Sequence, residues 1–319
     1  MADPSIDPVS QPPSTPVPDP QHSIFRGPNG IRAGWRAGIF LVLTAIVGLI
    51  LALIAAGFAR GKSLQTSQLT PLGTALSEAA IFVSTAAAAL VMARIEHRKF
   101  GDYGLPGRSM FRENFWIGTI VGFAAISGCL LGIFAFHGFH IAGLAIHGGT
   151  IPAATAEWAA AFVIVGLAEE FSFRGYLQFT LTTGMGFWPS AFLLSALFGV
   201  AHAGNPGESK AGLLSVVTFG LLFCLFVRRT GDLWWAVGFH AGWDWGQTFF
   251  YGVPDSGVAA YHNLFASSFA GPRWLTGGTV GPEASVFTPI VLLIVAIVFS
   301  RVYGENRYRT VGTRARDLG

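Results

Sequence analysis

Charge is what this 319-residue sequence most lacks: Asp, Glu, Lys and Arg make up 12% of it, against about a quarter in soluble domains. With 52% hydrophobic residues and a mean hydropathy of +0.53, a water-soluble globular domain is excluded and a bilayer is the fitting solvent. Cysteine is scarce too. Cys129 and Cys224 are the only two and both fall in apolar runs, which excludes a disulfide framework and a cysteine-type zinc site and leaves two packing residues. The HExxH and HxxEH spacings of zinc proteases do not occur, and no repeat of about 20 to 50 residues is present. The formal net charge is +3, yet the basic residues form no patch interleaved with aromatics, so nucleic acid is not a partner.

What is present is a series of apolar runs between short polar connections. A hydrocarbon core of about 30 Å takes roughly 20 helical residues. Eight runs approach that length: Ala37 to Ala59, Pro71 to Ala93, Phe115 to Phe136, Ala154 to Thr180, Met185 to His202, Ala211 to Val227, Leu233 to Phe250 and Val286 to Ser300. They lack the strict alternation of barrel strands, so backbone satisfaction in lipid predicts helices. With the N-terminus inside, 16 of the 20 Lys and Arg residues fall on inner segments and 4 on outer loops, the asymmetry expected of a multi-pass protein of the cell's cytoplasmic (inner) membrane. The fold class predicted is therefore all-α, a polytopic bundle of about eight transmembrane helices with both termini cytoplasmic. Residues 1–30 hold 8 of the 17 prolines and read as a disordered cytoplasmic tail. Residues 31–303 read as one membrane-embedded domain, and 304–319 as a basic cytoplasmic tail.

A charge near the bilayer centre costs about 2.5 to 3.5 kcal/mol, so each one there needs a partner or a purpose. Glu78, Glu169 with Glu170 and Arg174, His202, and His240 with Asp244 all fall inside the runs. Glu170 and Arg174 are four apart with the acid first, the better orientation for a helical ion pair. Glu169 is offset by about 100° from its neighbour and has no such partner, as a general base requires. His240 and Asp244 share a face of a helix whose Gly238, Gly242 and Gly246 form a ridge for close approach of a neighbour. One carboxylate and two imidazoles then meet in a water-filled pocket, expected to open towards the cytoplasm.

These residues resemble, in order, the motif set of the CPBP family, the CAAX proteases and bacteriocin-processing enzymes also called Abi. Its pattern is EExxxR, FxxxH and HxxxN or HxxxD on separate membrane helices. Here it reads Glu169-Glu170 to Arg174, Phe198 to His202, and His240 to Asp244, with the flanking stretches RGYLQ and YGLPGR also similar. The resemblance implies an intramembrane endopeptidase that hydrolyses a peptide bond of a membrane-associated protein or peptide without metal or other cofactor. It implies Glu169 as general base, His202 as the residue that positions water, Glu170 with Arg174 as the support of the polar network, and His240 with Asp244 at the oxyanion. Asp244 stands where the prenyl-protein members mostly carry Asn, so it either donates as a neutral acid or orients His240.

Two other readings are open from the residues alone. One is an enzyme using a metal, since two histidines and two carboxylates are adequate zinc ligands. The other is a non-catalytic immunity or scaffold protein, or a small ion- or proton-coupled transporter, to which Glu78 would suit a relay. Prenylated, leader-type and other membrane peptides all fit as substrate, and the sequence carries no signal for oligomeric state or for the role of the loop 253–285.

Overall fold

Every one of the eight apolar runs folds as helix in the computed structural model, which describes residues 24–27, 30–58, 68–205 and 207–308. In chain order α1 is Ala33–Phe58, α2 Pro71–Ile95, α3 Glu113–Ala135, α4 Thr150–Arg174, α5 Tyr176–Met185, α6 Phe187–His202, α7 Lys210–Thr230, α8 Trp234–Asp244 and α9 Phe287–Val302. A π-helical segment, Trp245–Phe250, continues α8. The Pro-rich tail and most of the basic tail expected at the two ends lie outside the described residues, as do Arg60 and Lys62.

Ala33–Phe58, Pro71–Ile95, Glu113–Ala135, Thr150–Met185 and Lys210–Thr230 are long and apolar enough to cross a bilayer, and α6 and α9 are shorter apolar helices. The protein is an all-α polytopic membrane protein. Its outer surface says the same: α1 buries only Ala37 and Phe40, while Leu49, Leu53, Leu293 and Ile294 are more than half exposed, which is tolerable only against lipid. Among the described residues β-structure is minor. Arg26–Gly27 pairs with Gly30–Ile31, and an antiparallel ribbon joins β1, Phe139–Leu144, to β2, Phe265–Phe269, with a register shift between Ile141 and Gly143.

The fourth run departs from the sequence reading. It is not one helix but α4 and α5, jointed at Gly175, where ψ is −116°; a Cβ there would come 2.4 Å from the Phe171 carbonyl oxygen. Met185, Gly186 and Phe187 then make a tight turn into α6. Glu169 and His202 lie at nearly equal chain distances from that turn, so both stand about 24 Å along their helices from it. This places His202 level with Glu169, its Nε2 3.9 Å from Glu169 Oε2.

α8 is the buried axis of the bundle, with every residue from Trp234 to Asp244 buried. It meets α3 backbone to backbone. A Cβ on Gly238 would lie 2.1 Å from the Phe115 carbonyl oxygen and one on Gly242 2.1 Å from that of Thr119, while Gly118 and Gly122 on α3 face the Trp235 and Phe239 oxygens at 2.3 and 2.1 Å. The small-residue ridge expected on α8 thus has a matching ridge on α3.

Gly242→Ala must push these helices apart. A loss of about 1 to 3 kcal/mol, the usual range for overpacking, is expected as a lowered thermal midpoint in detergent. Gly38→Ala, on α1 where a Cβ meets nothing within 4 Å, should leave the midpoint unchanged or slightly raised.

Candidate active site

α4, α6 and α8 each bring one part of a polar cluster. α4 reaches α8 through Gly166, where a Cβ would lie 2.9 Å from the Val237 carbonyl oxygen and 3.5 Å from His240 Cβ. One turn later Glu170 is fully buried and serves two helices. Arg174 Nη1 lies 3.6 Å from its Oε1, and His240 Nδ1 is 2.9 Å from the same oxygen. The ion pair expected along α4 forms, and to it is added a tie to α8 that helix periodicity does not show. Arg174, itself 1% exposed, has its guanidinium 4.3 Å from the centre of the Phe198 ring, a cation–π contact inside the bundle.

Glu169 behaves differently from its neighbour. Its side chain is 22% exposed where that of Glu170 is 0%. Its Oε2 lies 3.6 Å from His240 Nε2 and 3.9 Å from His202 Nε2. His202 Nδ1 is 2.9 Å from the Phe198 carbonyl oxygen, to which its N–H donates, so the other nitrogen is left facing Glu169. His240 gives Nδ1–H to Glu170 in the same way. Asp244 Oδ2 stands 3.4 Å from His240 Nε2. The six side chains singled out in the sequence, Glu169, Glu170, Arg174, His202, His240 and Asp244, therefore form one connected cluster, with both imidazoles aiming Nε2 at a single carboxylate oxygen.

The cluster lies in a cavity of about 470 Å³, within the usual range for ligand sites. The cavity wall includes residues that the sequence reading did not assign to the site. Glu78 comes from α2, Asn205 from the α6–α7 connection, and Asp255, Ser256 and Glu283 from the loop after the π-segment. That loop is tightly fastened. Ser256, at φ 43°, donates from its backbone N and its Oγ to Glu283 Oε2 at 3.0 and 3.1 Å, and Thr248 Oγ1 donates to Asp255 at 2.9 Å. Trp243 donates to Gln247, whose amide donates on to the Pro254 carbonyl. The sequence carries no signal for this contribution, since the loop has no helical period and no motif. Among the described residues no group of three or more His, Cys, Asp or Glu side chains is arranged to hold a metal ion.

The opening is expected at the cation-rich end of the bundle, and the cavity does not lie there. The connections that line it, through Leu69, Asn205, Asp255, Ser256, Val258 and Glu283, all belong to the opposite end of the bundle. The short α6 ends at His202, and Asn205 in the connection beyond it is part of the cavity wall.

Comparison with known families gives one match. Residues 151–246 match the family described as type II CAAX prenyl endopeptidase Rce1-like, a stretch that holds all six clustered side chains and bears out the resemblance to the CPBP family. No curated protein matches the chain.

Burial, and then the neighbouring Asp255, push the Glu283 carboxyl up from 4.5 to about 8, and burial raises Asp255 as well, the two titrating as a pair. Between those two pH values the folded chain keeps a proton that the unfolded chain has released, so stability falls as pH rises through the window. The thermal midpoint should therefore decline from pH 5 to about 8.5, and Glu283→Gln should flatten that decline. An equally steep decline in the variant would refute the assignment.

Proposed function

We propose, for a chain whose residues 151–246 are Rce1-like, that it is an intramembrane endopeptidase that hydrolyses a peptide bond of a membrane-associated protein or peptide with water activated at Glu169, independently of any metal. The observation that carries this reading is the convergence of His202 Nε2 and His240 Nε2 on Glu169 Oε2 at 3.9 and 3.6 Å inside the cavity. Those gaps are too long for direct hydrogen bonds and suit a bridging water.

The chemistry follows from the donors. A water in that gap gives one proton to the Glu169 carboxylate and directs the other at His202 Nε2, a free acceptor once Nδ1–H is spent on Phe198. The water oxygen bonds to the scissile carbonyl carbon, and negative charge develops on the carbonyl oxygen. His240, protonated on both nitrogens and flanked by Glu169, Glu170 and Asp244, offers Nε2–H to that oxyanion. Glu169 then returns its proton to the leaving nitrogen as the C–N bond breaks, giving an acid and an amine. Asp244, facing the imidazole at 3.4 Å, orients His240 and is not the donor, which accounts for an acid at a position where an amide is common. Glu170 and Arg174 are positioning residues.

Glu169→Gln should lower cleavage of a membrane-delivered peptide by about 10² to 10⁴ while the thermal midpoint stays within a few degrees of the parent, measured after reconstitution. His240→Ala should cost about 10² to 10³ in kcat, and chelators should change neither. An undiminished rate in Glu169→Gln would discard the mechanism, and loss of activity with chelator that returns on adding zinc would favour a metal enzyme.

A further inference from the structure

The two ends of the bundle differ in charge. One end gathers the start of α1, the α2–α3, α5–α6 and α7–α8 connections and the end of α9. There Arg36 pairs with Glu96 at 3.5 Å, the Arg98 guanidinium lies 4.9 Å from the centre of the Phe179 ring, and Arg228 lies 5.0 Å from that of Phe187. Arg229 donates to the Gly304 carbonyl, and Arg94, Lys99, Arg108, Arg112 and Arg301 belong to the same end. At the other end the described cations are Lys210 and Arg273. Basic residues are retained on the cytoplasmic side of a membrane, which makes the first end cytoplasmic.

The cavity belongs to the second end. Its loop-borne wall comes entirely from there, and no residue of the connections 96–112, 185–187 or 230–234 lines it. Depth agrees. Tyr176 stacks on Phe40 with ring centres 4.6 Å apart, and Glu169 is about two turns further from the cytoplasmic end than Tyr176. The floor of the cavity is thus beyond mid-depth on the far side, and Glu78, two turns inside the far end of α2, is on its outward wall.

The lining is also rich in acids. Glu78, Glu169, Asp244, Asp255 and Glu283 contribute five carboxyl groups, His202 and His240 two imidazoles, and among the described residues no Lys or Arg takes part. Once the loop pair Asp255 and Glu283 ionises, above about pH 8, such a concave, apolar-walled site concentrates cations and repels anions. A peptide ending in a free carboxylate near the cut bond, as a CAAX tail does, would meet repulsion in it.

We propose that the cavity receives its substrate from the extracytoplasmic face, and that this substrate is a membrane-anchored peptide segment carrying basic side chains beside the bond to be cut. The peptide part rests on the protease reading above; the sidedness does not. Native Cys129 and Cys224 are buried, so introduced thiols report alone. On intact cells, a membrane-impermeant maleimide should label Ser268→Cys on β2 and Ser256→Cys at the cavity roof but spare Glu305→Cys, which should react only after permeabilisation. The reverse pattern would overturn the sidedness, whatever the protein catalyses.

The charge preference is read by binding, on the full-length Glu169→Gln protein in detergent, so that turnover is not required. At pH 9, a fluorescent single-span peptide with two lysines next to the membrane boundary should bind at least about tenfold more tightly than its glutamate counterpart, and the gap should shrink with added salt. Replacing Asp255 by Asn and Glu283 by Gln should narrow it at pH 9, where the parent's loop pair is ionised, and change it little at pH 6. Equal binding of the two peptides would overturn the substrate class. Cleavage of neither by the parent, with binding and labelling as expected, would instead count against the protease reading.

Discussion

A carboxylate without access to water is stable only when donors surround it, and the site is organised by how Glu170 meets that requirement. Its Oε1 forms an ion pair with Arg174 on its own helix at 3.6 Å and accepts from His240 on α8. The first contact fixes the rotamer of α4's inward face. The second fixes the tautomer and ring plane of the histidine, with Nε2 turned into the cavity. Glu170 so occupied, Glu169 is the carboxylate left to face the chamber, since adjacent helical residues point about 100° apart. Two identical residues side by side thereby acquire opposite environments.

That geometry needs the helices closer than ordinary side chains allow. α8 is held against α3 by glycines on both partners and against α4 by Gly166, one turn before Glu170. In lipid the hydrophobic effect does not press helices together, so close backbone contact and interhelical hydrogen bonds take over that task. Here both occur at the same level of α8. The contact that stabilises the bundle is also the one that sets the distance between His240 and the two glutamates.

Much of this was legible in the sequence because it is written locally. Apolar runs of span length, the i, i+4 pairs and the glycine ridge each occupy a few turns, and the match over residues 151–246 covers all the clustered side chains. What was not legible depends on the third dimension. Composition windows pass smoothly over Gly175, so the joint between α4 and α5, and with it the level of His202, stayed hidden. Asp255 and Glu283 lie in a loop without helical period, and only the folded chain brings Ser256 to Glu283 across 27 positions. The place of the cavity followed the same pattern: cation counts tell the two ends of the bundle apart, but which end houses the pocket shows only in the folded connections.

The π-helical stretch after Asp244 has a consequence of a different kind. Such a stretch closes each hydrogen-bonded ring with one residue more than the α-helix it continues, so deleting one residue would let α8 run on as ordinary α-helix at almost no topological cost. It would also rotate everything beyond it by about 100°, turning Gln247 away from Pro254 and Thr248 away from Asp255. Over evolutionary time, then, the ceiling of the chamber is more vulnerable to a change of reading length in these six residues than to most exchanges of one side chain for another.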